Sequence, residues 1–355
     1  MSPKRNEEYA MEIAFNGAWR PSADPLSVGA GNFSVLQNTR YAQDGSLEGV
    51  SGYSPINPKP LVDPDYDYVT ALAICGTSAQ SDCDEYDPVL ESWAARTDVP
   101  SPGRYGNMGA GVENLAFTIG GMDGSGLITE ALDAVTDVWE SRCDMPEPLR
   151  SYGAAFAYDG SIYVAGGYDY TSGNLQDCNR YDPLTDSWSS MTDMPSPARR
   201  YIAACLLGYK GYVFGGYDSS DPLDDCDVYN PLTDVWSSGA SMNLARCGVY
   251  AFGLDDAAYL AGGGEGILFG ANYRDCHSYD PETDSYAVKE DIPSPARISG
   301  GAQTVAGQGL IYAGGAILGL RDVETYDADA DAWASQDDMP SPGRVYLGSA
   351  SVQYS

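Results

Sequence analysis

Three sequence markers recur together along this chain at intervals of 45 to 52 residues. The first is a glycine pair after an apolar run, as in "FTIGG", "YVAGG" and "YVFGG". The second is a tyrosine followed seven residues later by a tryptophan, as in Tyr181 and Trp188. The third is a single arginine, found at Arg104, Arg150, Arg199, Arg246, Arg297 and Arg344. A catalytic site is built once, so a segment written six times is expected to be scaffold.

Each repeat predicts four short β-strands and no helix. In one copy the runs "RRYIAACLLG", "GYVFGG", "DDCDVYN" and "DVWSSGASM" are rich in aromatic and β-branched residues, and Gly, Asp, Asn and Pro separate them. Four strands in roughly 48 residues describe one blade of a β-propeller. The sequence therefore predicts an all-β fold with six blades.

The glycine pair together with the spaced Tyr and Trp resembles the kelch motif over residues 63–355. The resemblance implies a six-bladed kelch-type β-propeller. The glycines are expected where neighbouring backbones crowd, and the Tyr and Trp rings are expected to fill the space between blades. "MPSP" segments are expected to turn the chain into the next blade, where the repeated arginine hydrogen-bonds the backbone.

The two ends of the repeat region predict how the ring closes. The first copy begins near "DYDYVTALAICG", at its second strand, while "VYLGSASVQYS" after Arg344 has the pattern of a first strand. We therefore expect the C-terminal strand to complete the first blade on its channel side. Such closure removes a sheet edge that would otherwise pair with other chains.

The charge composition limits the classes of partner that the protein is expected to bind. The formal net charge is −32, with 37 Asp and 14 Glu against 4 Lys and 15 Arg. This balance disfavours nucleic acid and anionic membranes as partners, and we find neither a membrane-spanning run nor a secretory signal. Repeated Asp-bearing turns explain part of the Asp excess. The scarcity of Lys favours a halophilic source, which predicts a melting temperature that rises with KCl concentration.

The cysteines and the single histidine argue against metal, cofactor or catalytic chemistry. Four cysteines stand three residues before the repeat tyrosine and are expected to be small buried residues: Cys83, Cys178, Cys226 and Cys276. Only Cys75 and Cys83 share a hairpin and could pair, and no CxxC supports zinc. The copper-dependent kelch oxidases need two histidines, whereas His277 is alone. We predict no cofactor, no metal and no enzyme activity, with Ca²⁺ at acidic turns left open.

The loops after the glycine pairs vary in length and content, which is typical of recognition on a repeated scaffold. They supply the candidate binding residues Tyr168, Tyr170, Tyr217, Leu268, Phe269 and Tyr273. The alternative is that these side chains pack onto their own blades.

Residues 1–62 lack the repeat and are predicted to form an extended anchoring arm. Its apolar residues are too numerous for ordinary disorder, and the assembly candidates are Phe15, Trp19, Phe33, Leu36 and Tyr41. The stretch "LQNTRYAQDGSLEGVSGY" resembles the opening of tail nozzle and tail-stabilisation proteins of tailed viruses. That resemblance implies an arm that anchors to neighbouring subunits and drives homo-oligomer formation.

Together these features favour a structural and interaction protein of the virion, as a tail or tail-associated component of a virus that infects a halophile. The propeller would be a rigid module that faces the host surface or binds other virion proteins, or a protein or glycan ligand on its loop face. The first alternative is a cellular, cytoplasmic kelch module for protein–protein interaction. The least favoured alternative is a glycan-active enzyme, either a hydrolase or a mutarotase-like epimerase.

Overall fold

The computed structural model describes residues 68–354 except 77–79, 101, 123, 125, 267–269 and 316–318, together with four short strands nearer the N-terminus. The chain divides into two units, Met1–Leu61 and Val62–Ser355. In the first unit Ile13–Phe15 pairs with Ala18–Arg20, and Arg40–Tyr41 pairs with Leu47–Glu48. The expected arm contacts of Phe15, Trp19, Phe33, Leu36 and Tyr41 lie outside the side chains that the structure describes.

The second unit contains six antiparallel sheets of four strands, which we call blades 1 to 6. Blade 1 has, from the channel outward, Gly348–Tyr354, Tyr68–Gly76, Gln80–Asp87 and Ser92–Ala95. Blade 2 has Met108–Val112, Leu115–Ile119, Thr129–Asp133 and Val138–Ser141. Blade 3 has Ala154–Tyr158, Ser161–Ala165, Cys178–Asp182 and Ser187–Met191, with a small ribbon of Tyr168–Asp169 and Gly173–Asn174.

The remaining blades follow the same order. Blade 4 has Ala203–Leu207, Lys210–Phe214, Cys226–Asn230 and Val235–Ser238. Blade 5 has Tyr250–Leu254, Ala257–Ala261, Cys276–Asp280 and Ser285–Lys289. Blade 6 has Gly301–Val305, Gln308–Tyr312, Val323–Asp327 and Ala332–Ser335. No helix in the described part of the chain is long and apolar enough to cross a bilayer.

The closing strand takes the predicted place. Gly348–Tyr354 pairs antiparallel with the second strand of blade 1, from Gly348 opposite Ile74 to Tyr354 opposite Tyr68. The six-bladed, all-β arrangement and its closure by the C-terminal strand are therefore confirmed.

Small residues line the first strands because the blades converge at the axis. A Cβ added at Gly111 would lie 1.5 Å from the carbonyl oxygen of Ser351, and one at Gly109 would lie 2.5 Å from that of Ser349. The strands enclose a channel of ≈ 290 Å³ whose wall is mainly alanine, glycine and phenylalanine, with Gln303, Thr304 and Ser351 as polar members. Such a wall offers little chemistry to a ligand.

The repeated arginines are buried, and four of the six pair with acids on the third strand, which the sequence did not predict. Arg104 lies 2.5 Å from Glu130, Arg297 lies 2.6 Å from Glu324, and Arg199 pairs with Asp227. The other members are Arg344 with Asp84, Arg246 with Asp275, and Arg150 with the amide oxygen of Asn179. The predicted backbone hydrogen bonds are also present, for example from Arg150 to the carbonyls of Val164 and Asp177. Removing one partner of such a buried pair would cost about 3–5 kcal/mol.

Glycine pairs end the second strands at a crowded place, as predicted. Gly167 has φ of 106°, and its N–H donates to the carbonyl of Arg199, which opens the next blade. In blade 6 the marker is displaced by one residue. Ala313, at φ of 60°, and Gly314 take the structural positions, and Gly314 donates to Arg344. The glycine markers of blades 5 and 6 are 52 residues apart in the sequence pattern, from Gly263 to Gly315. The structurally equivalent positions, Gly263 and Gly314, are 51 residues apart.

The repeat Tyr and Trp rings pack between blades as expected. The Tyr181 ring of blade 3 lies 5.6 Å from the Phe117 ring of blade 2 and 5.0 Å from Trp188 of its own blade. The four cysteines before the repeat tyrosines are buried, and Val323 occupies the same position in blade 6. All eight cysteines are free thiols, including Cys75 and Cys83.

Candidate binding surface at the channel mouth

Six equivalent residues form a closed ring of backbone hydrogen bonds where the chain turns into each blade. Each stands two residues after a repeat arginine, and each donates its N–H to the carbonyl of the one in the preceding blade at 2.6–2.9 Å. The members are Gly106, Tyr152, Tyr201, Gly248, Ser299 and Tyr346. All have φ between 55° and 66°, a region that only glycine adopts freely. The ring therefore fixes three tyrosines in a strained backbone conformation around the axis.

These three tyrosines meet over the channel. The ring centroid of Tyr152 lies 4.4 Å from that of Tyr201 and 5.5 Å from that of Tyr346, while Tyr105 lies 6.3 Å from Tyr152. Burial raises the pKa of the Tyr152, Tyr201 and Tyr346 hydroxyls, so all three stay protonated at neutral pH. The mouth on this side is thus covered by aromatic rings that carry hydroxyl donors.

Arg200 stands beside this tyrosine cluster on the loops of blades 3 and 4. Its guanidinium carbon lies 4.4 Å from the ring centroid of Tyr168, 5.5 Å from that of Tyr201 and 5.9 Å from that of Tyr217. Its Nη1 donates to the Oδ1 of Asn174 at 3.3 Å. The aromatic faces hold the cation in place without neutralising it.

The loops around Arg200 are tied to one another. The Nδ2 of Asn174 donates to the carbonyl of Tyr217 at 3.0 Å and to the Oγ of Ser219 at 3.0 Å. The backbone of Tyr217 and that of Arg200 exchange hydrogen bonds of 2.8 and 3.2 Å. We call Arg200 and its neighbours Asn174, Tyr168 and Tyr217 the loop surface.

The structure brings together some of the sequence-predicted loop residues. Tyr168 and Tyr217 both flank Arg200, and Tyr170, which is 67% exposed, packs edge-on against Tyr168 at 5.7 Å. Tyr273 lies apart from them, over the guanidinium of Arg246 at 5.2 Å. Leu268 and Phe269 lie outside the described residues.

Sequence reasoning missed Arg200, Asn174 and the tyrosines of the mouth. The signal was available for Tyr152, Tyr201 and Tyr346, since each stands two residues after a repeat arginine. Arg200 was missed because the arginine next to it, Arg199, is the buried member of the repeat and accounted for the pattern. Asn174 is one of many turn residues, and only the fold shows that it contacts the next blade.

His277 occupies the third-strand position that bears the acid or amide partner of the arginine in the other blades. Its Nδ1 lies 3.4 Å from the Oδ2 of Asp275, and burial lowers its pKa. Asp275 takes over the pairing with Arg246. His277 is therefore part of the scaffold. Within the described residues no group of three or more His, Cys, Asp or Glu side chains is arranged to hold a metal ion.

This architecture defines a kelch-type β-propeller, in which six four-stranded blades surround a channel lined by small residues. The sequence profile of the KLHDC2/KLHL20/DRC7 Kelch-repeats domain matches residues 110–315, more than half of the chain. The chain therefore belongs to the Kelch-repeat family, whose propellers generally serve as interaction modules for proteins rather than as enzymes.

A solved structure supports the same fold. The protein described as "Structure of YjhT" is similar to this chain at 17% sequence identity with a TM-score of 0.61, over 71% of this chain and 88% of that one. At this identity the similarity concerns the fold alone. A search of curated proteins found no match.

Proposed function

We propose that this protein is an interaction module that binds a protein partner through the loop surface. The observation that carries the proposal is the state of Arg200. Five of the six buried repeat arginines pair with a carboxylate, whereas Arg200 has no ion-pair partner among the described residues. It is half-buried between tyrosine rings on a chain of net charge −32.

The chemistry of the loop surface suits an anionic group on a protein. A guanidinium forms two parallel hydrogen bonds with a carboxylate. The surrounding tyrosines supply rigid contact area and hydroxyl donors, a combination that is enriched at protein interfaces. The ring of backbone hydrogen bonds and the Asn174 contacts hold these groups in place before binding, which lowers the entropy cost of association.

The test is a comparison of partner capture by three forms of the full chain. The wild type, Arg200→Glu and a control variant, Asp329→Asn, would be immobilised and exposed to the same source lysate, and bound proteins would be quantified by mass spectrometry. Asp329 lies in an exposed turn at the far end of its third strand from the loops. We expect a specific partner with the wild type and the control and its loss with Arg200→Glu. Equal recovery by all three forms would remove the loop surface as the binding site.

The setting that we propose for this module is a virion, with residues 1–62 as the anchoring arm and with other virion proteins as partners. The support is the resemblance of the "LQNTRYAQDGSLEGVSGY" stretch to tail proteins and the acidic, Lys-poor composition. Size-exclusion chromatography of the full chain and of a form without residues 1–62 tests this setting. We expect only the full chain to self-associate or to bind virion proteins. If the arm changes no association, the cytoplasmic interaction module becomes the better description.

A further inference from the structure

The turns between third and fourth strands carry exposed apolar side chains in four consecutive blades. In blades 1 to 4 the tip residues are Val89, Val135, Leu184 and Leu232, with exposed fractions of 64, 55, 95 and 65%. In blades 5 and 6 the same turn position holds Glu282 and Asp329. We call the four apolar tips the apolar rim.

The fold does not require an apolar residue at these tips. The N–H of Leu184 donates to the carboxylate of Asp182 at 2.9 Å. The same bond is made by Glu282 to Asp280 at 2.8 Å and by Asp329 to Asp327 at 3.0 Å. The turn thus forms equally well with either kind of side chain, because its hydrogen bonds use only the backbone of the tip residue.

Exposed apolar residues are concentrated at these turns. Single apolar residues scattered over a surface are ordinary. Here, however, seven of the twelve large apolar residues that are exposed in the described part fall in four turns or on the first residue of the strand that follows: Val89, Leu90, Val135, Val138, Leu184, Leu232 and Val235. A clustering that follows four neighbouring blades and stops at the fifth indicates a contact surface rather than chance.

The charge of the same turns identifies what this surface can bind. The segments 87–92, 133–138, 182–187 and 230–235 contain seven carboxylates and no lysine or arginine. Hydrogen bonds from the Cys143 N–H and the Tyr181 hydroxyl lower the pKa of Asp186, which keeps that group ionised at neutral pH. A second copy of this chain or an anionic membrane would bring like charges together.

We propose that the apolar rim binds a protein segment that presents leucine-like side chains between lysines and arginines. Each rim turn lies at the opposite end of its third strand from the loop surface. The rim is therefore a second interaction surface, separate from the proposed function, and the two can be tested one at a time.

The experiment measures binding of a fluorescent amphipathic peptide of leucine and lysine to the full chain by anisotropy. The wild type is compared with Leu184→Glu/Leu232→Glu, which copies the residue type that blade 5 already holds. Added negative charge strengthens attraction to a basic peptide, so a weaker affinity reports lost apolar contact alone. We expect the affinity to fall by roughly tenfold or more, and the difference to persist at high NaCl concentration, where screening removes the charge contribution.

The controls decide the proposal in either direction. Glu282→Gln/Asp329→Asn changes the same turn position in the two blades outside the rim and should leave the affinity within about twofold. A peptide of leucine and glutamate should bind at least roughly tenfold more weakly than the lysine peptide. Unchanged or stronger binding by the double glutamate variant would overturn the proposal, as would equal binding of the two peptides. Arg200→Glu should not affect this assay, which separates it from the test of the loop surface.

Discussion

Five junctions between neighbouring blades are joined in one way, and the junction between blade 6 and blade 1 is joined in another. At each of the five, an aspartate in the turn before the fourth strand accepts a hydrogen bond from one backbone N–H of the preceding blade. The aromatic residue two positions after the aspartate donates a hydrogen bond to the carbonyl of the preceding-blade residue whose N–H the aspartate binds. Between blades 2 and 3, Asp186 accepts from the Cys143 N–H at 2.8 Å, and Trp188 donates to the Cys143 carbonyl at 2.9 Å. We call this pair of bonds the clasp.

The clasp recurs with small changes of side chain. Asp137 and Trp139 hold Thr97, Asp234 and Trp236 hold Thr192, Asp284 and Tyr286 hold Ala240, and Asp331 and Trp333 hold Glu290. In blades 3 to 6 the aspartate also accepts a hydrogen bond from the repeat tyrosine, such as the 2.6 Å bond from the Tyr181 hydroxyl to Asp186. Blade 2 has Leu132 in place of this tyrosine.

The closing junction has no clasp within the part of the chain that the structure describes. Glu91 stands where the other blades have aspartate, and the indole Nε1 of Trp93 is buried without a hydrogen-bond partner. The Trp93 ring instead packs edge-on against Tyr312 of blade 6 at 5.2 Å. On its outer side this junction depends on apolar packing, while the C-terminal strand and the ring of backbone hydrogen bonds hold its inner side. Equivalent repeats therefore do not imply equivalent junctions.

Deleting residues 345–355 tests the closing junction with the largest expected effect. The deletion removes the inner strand of blade 1 and exposes the long edge of Tyr68–Gly76. We expect loss of cooperative thermal unfolding and aggregation, measured by calorimetry and light scattering. Ser351→Ala, a small change on the same strand, serves as a control that should fold. A monomeric deletion form with an unchanged melting temperature would show that closure does not hold the ring.

Asp186→Ala and Glu91→Ala compare a clasped with an unclasped junction. The first leaves the Cys143 N–H and the Tyr181 hydroxyl without their acceptor and is expected to lower the free energy of unfolding by about 2 kcal/mol. The second breaks no such bond and is expected to cost less than about 1 kcal/mol. Both positions have φ near 48°, with values of 47° and 49°, so the strain of alanine is common to the pair. Urea denaturation measures the difference, and equal losses would mean that the clasp adds nothing.

Trp236→Phe and Trp93→Phe isolate the second bond of the clasp. Both remove ring volume, yet only Trp236 loses a hydrogen bond, the one of 2.8 Å to the Thr192 carbonyl. We expect Trp236→Phe to destabilise the protein by about 1 kcal/mol more than Trp93→Phe. The measurement is again urea denaturation with matched m-values. A larger loss for Trp93→Phe would reverse the comparison.

The smallest effect is a pH dependence carried by one clasp. Hydrogen bonds from the Cys143 N–H and the Tyr181 hydroxyl lower the pKa of Asp186 below its value in the unfolded chain. The unfolded state then binds the proton more readily, so this stabilisation is present above about pH 4 and is lost as the pH falls through the lowered pKa. Asp186→Asn should therefore flatten the acid side of the stability curve relative to the wild type. Glu91→Gln is the control, and a similar flattening there would argue against the clasp as the cause.

The repeat predicted much of the fold because its markers are local. A glycine pair, a Tyr and Trp seven residues apart, and a proline-rich turn each specify one piece of a blade, and six copies, some of them incomplete, leave few other folds. The blade 6 glycine marker was misplaced by one residue because "YAGG" offers two registers, and only the hydrogen bond from Gly314 to Arg344 selects one. The loop surface was predicted in part, since Tyr168 and Tyr217 stand out as aromatics in variable loops.

By itself the sequence determined the number of blades, the strand order and the strand that closes the ring, because these follow from local patterns, from how often they recur, and from the incomplete copies at the two ends of the repeat region. Only the tertiary structure decided that Arg200 lies between tyrosine rings without a carboxylate partner, which tyrosines cover the channel, and which junction lacks its clasp. Those properties depend on contacts between residues some 45 positions apart, such as Trp188 with Cys143. A linear pattern records which residue types recur, but it does not record whether a particular donor in one blade reaches an acceptor in the next.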